Sequence, residues 1–183
     1  EIGELLAEMN PRAQRLIASG VQREEAYLME VCELVTRLRI PTLDELRAAR
    51  DAAGRDVVIA VAMFDFEAGK GFSHHDHRDY NGVIFGVEGE VRCTNYDILG
   101  DDMVPPKGET FQIRETRDDL ILPGRFSTLG SKRDNVHAVT AGPEGGKVVD
   151  AFTFFEKGAR SVFMDVDPTP RDAERRIFDA AWS

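Results

Sequence analysis

GFSHHDHRDYNGVIFGVEGE, residues 71–90, carries three of the chain's four histidines, at positions 74, 75 and 77. The fourth, His137, stands far downstream in RDNVHAVTAG. Along an extended strand successive side chains alternate faces, so His75 and His77 point one way and His74 and Asp76 the other. An HxH pair on a strand is therefore a two-toothed clamp for a metal ion. A catalytic site of this kind commonly takes three protein ligands and leaves further positions open, and His137 is the only other imidazole that could complete it. A lone histidine is more often a core or surface residue with satisfied hydrogen bonds. Three at matching positions in two strands favour His75, His77 and His137 as metal ligands, with His74 turned toward solvent or beside the ligands.

Outward from this stretch, the apolar period changes once. Before it the chain reads as helices. Asn10 and Pro11 suggest an N-cap and first helical residue for a helix stopping at Gly20. In REEAYLMEVCELVTRLR the residues Tyr27, Leu28, Val31, Leu34, Val35 and Leu38 recur at three and four, a buried stripe ended by Pro41. Thr42 and Glu45 form a capping-box pair opening a third helix that stops near Gly54. From Val57 onward, VVIAVAMFDF and further short runs rich in Val, Ile, Phe and Thr are split by Gly, Pro and Asp turns up to Val166, roughly eight or nine strands. The tail PTPRDAERRIFDAAW places Ala173, Ile177, Phe178 and Ala181 on one helical face, which predicts a closing helix. The expectation is one domain over 1–183: a helical annex (1–55), a two-sheet jelly-roll barrel (56–166) and a C-terminal helix (167–183). A barrel's open mouth is where inward side chains converge on a metal or ligand.

Composition narrows the partner. The formal charge is -10, with 23 Lys and Arg against 33 Asp and Glu, and no basic stripe suits a nucleic acid. A small molecule fits better. No apolar run approaches the roughly 18 to 20 residues that span a bilayer, so no membrane partner is expected. Glu1 is not an initiator Met, which suggests a processed start; a cytoplasmic setting is expected, with export left open. Cys32 and Cys93 are too few for a disulfide framework, and Cys32 reads as a buried helical thiol.

GKGFSHHDHRDYNGVIFGVEG resembles the first motif of the cupins, with Gly69, His75, His77 and Gly89 at the family's glycine and histidine positions. Where most cupins carry a metal-binding Glu the spacing lands on Asn81 or Gly82. Three histidines without that carboxylate are the pattern of the thiol dioxygenases, the cupin branch that includes cysteine, 3-mercaptopropionate and cysteamine dioxygenases and the plant cysteine oxidases. HDHRDYNGVIFGVEGEV is similar to their HDH segment, and NVHAVTAGPEGGKVVDAF to the segment bearing the third histidine in the cysteamine and plant branch. The likeness covers Val57 to Phe155. It implies a cupin double-stranded β-helix, an Fe(II) ion on the three histidines, O2 as co-substrate and a small thiol oxidised to its sulfinate. Imidazoles alone do not choose iron over Zn, Ni or Cu; that choice comes from the resemblance.

The pattern also departs from cysteine dioxygenase. Its Ser, His and Tyr on the strand after the third histidine correspond to Asp150, Phe152 and Phe154, and its crosslinked Cys to Gly82. Asp150 resembles the Asp of the cysteamine and plant branch and is the candidate catalytic residue. The alternative is a half-buried strand carboxylate paired with a local Arg. Arg50 and Arg55 precede the first strand, where some relatives hold a substrate carboxylate, but neither sits in a motif. Tyr80 is either a pocket hydroxyl or a packing aromatic. Two other functions stay open: a cupin enzyme of another reaction type using a different metal, and a non-catalytic cupin binding a metal or small ligand.

Overall fold

The computed structural model describes residues 1–52, 57–100 and 105–183, with the side chains of residues 43 and 50–52 left out. Arg55, the Arg50 side chain and the expected helix stop at Gly54 lie outside the described residues. Among these residues, three helices come first: α1 (Ile2–Ala18), α2 (Glu24–Thr36) and α3 (Leu43–Ala52). Eight strands follow among the described residues: β1 (Ile59–Phe66), β2 (Gly71–Asp76), β3 (Tyr80–Ile98), β4 (Phe111–Ile121), β5 (Phe126–Leu129), β6 (Val136–Phe154), β7 (Met164–Val166) and β8 (Ile177–Trp182). The fold is mainly β, a curled antiparallel sheet with a helical annex, as the change of period in the sequence implies. Among the described residues no helix is long and apolar enough to cross a membrane.

The strands run in the order β1-β6-β3-β4-β8-β7, with β2 also paired to β6 and β5 to β3. Both long strands fold over at one place. The first half of β3 pairs with the second half of β6, from Tyr80↔Phe154 to Gly86↔Val148, and beyond the bend Val91↔Ala141 to Tyr96↔Val136 continue the ladder. The register slips between Gly86 and Glu88 and again between Gly89 and Val91, and such bulges bend a strand and raise its twist. The bend carries His137, in one half of β6, around to face Asp150, in the other, across one interior.

Glycine is required at that corner. Gly89 has φ +64°, and a Cβ on it would stand 2.4 Å from the Gly145 carbonyl oxygen. Gly89→Ala should therefore cost about 3 kcal/mol, left-handed strain plus a main-chain clash, read as a lower urea midpoint. An unchanged midpoint would mean that the corner does not depend on this close approach.

Alternation on the bent strands separates two cores. Val83 and Ala151 face the annex and pack with Met9, Leu28, Val31 and Val35. Ile84, next to Val83, and Val148, an odd number of residues from Ala151, face the interior with Val91, Cys93, Ile121 and Val139. The stripe expected on α2 is present: Tyr27, Leu28, Val31 and Val35 are buried, joined by Cys32, with Leu34 and Leu38 packed against the same cluster. Polar links pin the annex, with Glu24 Oε1 accepting from Asn81 Nδ2 at 3.0 Å and from the Ser131 amide at 2.9 Å. The capping box is also present: Thr42 N donates to Glu45 Oε2 and Glu45 N to Thr42 Oγ1.

Two expectations fail. The first helix does not begin at Pro11 but runs through it. Proline inside a helix costs about 3 kcal/mol, yet Ile2, Leu5, Met9, Ala13 and Leu16 form one buried stripe on both sides of it. Each large side chain in such a stripe gains roughly 1.5–3 kcal/mol, so continuation wins. Asn10 is not a cap; its Oδ1 accepts the Val58 amide at 3.1 Å. The C-terminal helix expected within 167–183 is replaced by strand β8, which pairs with β4 and β7. Phe178, Ala180 and Trp182 alternate with period two and join Phe111 and Ile113 in one cluster. Six residues of apolar pattern fit either period, and the open edge of β4 decides. Before β8, Arg176 at φ +56° turns the chain, and the main chains of Asp172 and Ile177 exchange both hydrogen bonds.

Candidate metal centre

His75 and His137 are direct cross-strand partners on β2 and β6. His77 lies just beyond the end of β2, its amide donating to the Asn135 carbonyl at 2.7 Å. The register brings the three rings together. His137 Nε2 is 2.8 Å from His75 Nε2 and 3.2 Å from His77 Nε2. All three side chains are buried, and with one nitrogen from each within 4.8 Å of the others they could hold one metal ion. His74 lies off the cluster, with its Nε2 3.3 Å from Tyr96 Oη.

His75 Nδ1 is 2.8 Å from the Ser73 carbonyl oxygen, which can only accept, so Nδ1 carries the proton and Nε2 presents a bare lone pair. Burial lowers the pKa of His75 against the opposing pull of the Ser73 carbonyl and Asp76, and it lowers those of His77 and His137 well below the ordinary value, where neighbouring imidazoles add to the effect. All three rings are therefore neutral at neutral pH. Neutral rings crowding their Nε2 atoms together, with one lone pair fixed, fit a shared Lewis acid.

Beside the histidines lies a cavity of about 150 Å³. Phe64, Phe66, Phe72, Phe152 and Phe163 wall it, and Tyr80, Ser161 and Asp150 supply its other polar groups. Among the described residues, no Lys or Arg lines it. Asp76, between His75 and His77, faces away from them and does a separate job. Its Oδ1 accepts the Val162 amide at 2.7 Å, its own amide donates to the Val162 carbonyl, and Arg78 bonds its other oxygen. Asp76 thereby fastens the segment 161–163 across the cavity, where the Phe163 ring lies 5.2 Å from that of His75. The Tyr80 hydroxyl meets Ser161 Oγ, and its ring lies 4.1 Å from that of His77.

Asp150 is 4% exposed, and burial alone pushes its carboxyl well above the ordinary value. Among the described residues its Oδ1 has no hydrogen-bond partner and no Arg charge acts on the carboxyl, so the sequence alternative of pairing with a local Arg is not seen there. Gly82 gives it room: a Cβ there would meet Asp150 Oδ1 at 3.3 Å and Phe152 Cδ1 at 3.5 Å. Asn81 points to the annex instead. Neither position adds a carboxylate to the histidine group. Of the three residues expected to face inward, Asp150 and Phe152 line the cavity, whereas Phe154 stacks behind Phe152 at 6.0 Å.

Sequence reading did not single out Ser161, Phe163 or the aromatic wall from β1 and β2. Phe64 and Phe66 alternate on β1 and could have been flagged as inward. Nothing local to residues 161–163 signals that they cross the site, because Asp76 holds them from a distant segment.

No known family model matches this sequence. No curated protein matches it either. Among solved structures, the chain is similar to the 11S globulin from Wrightia tinctoria, with TM-score 0.45 and 11% identity over 60% of this chain and 23% of that one. It is similar to a recombinant oxalate oxidase in complex with glycolate, with TM-score 0.42 and 18% identity over 60% of this chain and 47% of that one. A third similarity is to pumpkin seed globulin, with TM-score 0.43 and 12% identity over 60% and 24%. The chain spans less than half the length of each of these structures.

Proposed function

We propose that this protein is a cupin-type non-haem iron(II) thiol dioxygenase, converting a small thiol and O2 to a sulfinic acid (RSH + O2 → RSO2H). The observation that carries the reading is the donor set: three buried, neutral imidazoles converging through Nε2, with no carboxylate in the group, beside a small aromatic-walled cavity. Fe(II) held by His75, His77 and His137 would supply the Lewis acidity that favours thiolate over thiol and the redox chemistry that engages O2. An anionic ligand would weaken the pull on the thiol.

The remaining residues define what the thiol meets. The phenylalanine wall and Phe163 keep water from the reacting sulfur, which strengthens every polar contact inside. Tyr80 and Ser161, bonded to each other, hold a hydroxyl pair beside His77. Asp150 offers a carboxyl with an unused oxygen, and an amine-bearing thiol would give that oxygen a partner and favour its ionised form. A thiol bearing a carboxylate finds no cationic partner among the described lining residues. Cysteamine-like thiols therefore fit better than 3-mercaptopropionate.

Because the same imidazoles suit Mn, Ni or Zn, the metal is part of the test. Protein purified without added metal should contain iron in preference to those three, by elemental analysis. Zinc or manganese at near one per chain, with no iron, would favour a cupin of another reaction type.

A further inference from the structure

Behind His137 runs a buried chain of hydrogen bonds that ends on main chain. Asn95 Nδ2 is 3.2 Å from the Thr128 carbonyl oxygen. A carbonyl only accepts, so the amide nitrogen lies on that side and Oδ1 faces the other way. Cys93 Sγ is 3.4 Å from that Oδ1, and Ser127 Oγ also lies 3.4 Å from it. An amide oxygen has no hydrogen to give, so the thiol hydrogen points at Asn95 and the sulfur lone pairs point elsewhere. His137 Nδ1 is among the groups that face them, at 3.5 Å. A ring nitrogen in that place meets an acceptor only if it carries the proton. Orientation thus passes from the Thr128 carbonyl through Asn95 and Cys93 to the imidazole, and leaves His137 Nε2 bare.

We infer that Cys93 and Asn95 are positioning residues that hold His137 as the Nδ1–H tautomer, with Nε2 presented to the metal. The inference rests on the three-histidine metal reading and adds the groups that select the tautomer of one ligand. The three rings are then set by different means. His75 is fixed by the Ser73 carbonyl and His137 by a thiol, while the buried His77 Nδ1 has no partner among the described residues. Both cysteines are buried and free, but only Cys93 touches a histidine of the cluster. Partners behind metal-bound imidazoles raise ligand basicity and set ring orientation, and losing one typically costs 10- to 100-fold in metal affinity.

The test is zinc affinity of metal-stripped protein, measured by competition with a chromogenic chelator, for wild type, Cys93→Ala and Cys93→Ser. Ala and Ser leave nearly the same space, so they share any packing loss and differ in the hydroxyl that can accept from Nδ1–H and donate to Asn95. Cys93→Ala should bind zinc about 10- to 100-fold more weakly than wild type, and Cys93→Ser should recover most of that loss. Asn95→Leu, which removes the second step and keeps Cys93, should weaken zinc binding in the same direction. Equal affinities for Cys93→Ala and Cys93→Ser, whether both lowered or both unchanged, would overturn the relay while leaving the metal reading standing. A wild-type protein that takes up no zinc would overturn both.

Discussion

His137→Ala should leave a folded protein that purifies nearly metal-free and shows no thiol-dependent oxygen uptake. Structural zinc sites bind with roughly 10–16 kcal/mol, so one ligand of three accounts for several kcal/mol, and affinity should fall on the order of 10³-fold or more. The fold should survive because the ring lines a cavity and, among the described residues, its hydrogen bonds and ring contacts go to His75, His77 and Cys93. Its loss enlarges that space and relieves the crowding of Nε2 atoms only 2.8 and 3.2 Å apart. The thermal transition of the metal-free variant should stay cooperative and within a few degrees of metal-free wild type. Loss of that cooperativity would identify His137 as a structural histidine. Retained metal at one per chain would show that the ion sits elsewhere.

Asp150→Asn should act on substrate choice and, separately, on pH-dependent stability. Wild type should prefer cysteamine to 3-mercaptopropionate in kcat/KM, since the cavity offers a carboxyl and no described cation. Hydrogen bonds to charged groups contribute about 1.5–3 kcal/mol, so the substitution should lower kcat/KM for cysteamine about 10- to 100-fold and change that for 3-mercaptopropionate little. If cysteamine turnover is untouched, Asp150 is a bystander. The stability arm needs no substrate. Burial raises the Asp150 carboxyl above its ordinary 3.8, so between that value and the raised one the folded chain holds a proton that the unfolded chain has released. Stability of the metal-free protein therefore falls as pH rises through this window. Asparagine cannot ionise. The gain of Asp150→Asn over wild type should be small near pH 4 and grow toward neutral pH, and a difference that does not change with pH would mean that Asp150 is ionised in the folded protein.

What could be read from sequence follows from the range of the forces involved. The α2 stripe and the Thr42–Glu45 cap are local patterns, and both appear as read. Alternation set His75 and His77 against His74 and Asp76, although β2 ends at Asp76 and His77 is held by the Asn135 carbonyl rather than by the ladder. Pro11 misled because a local penalty of one residue was outweighed by a stripe spanning the whole helix. The tail misled because IFDAAW satisfies both periods, and its choice of strand rests on the β4 edge, some seventy residues earlier in sequence. The relay behind His137 and the strap held by Asp76 depend on which strand lies beside which. Cys93 and Asn95 alternate correctly on β3, but only the pairing of Asn95 with His137 gives that alternation a meaning.

Oxygen uptake by iron-loaded protein on adding cysteamine, with the product identified by mass, bears most directly on the proposed chemistry. One O2 consumed per sulfinate formed, with both oxygen atoms labelled when ¹⁸O2 is used, is the outcome expected of a thiol dioxygenase. Iron bound at the three histidines with no uptake on cysteamine, cysteine or 3-mercaptopropionate, or with disulfide as the only product, would contradict it.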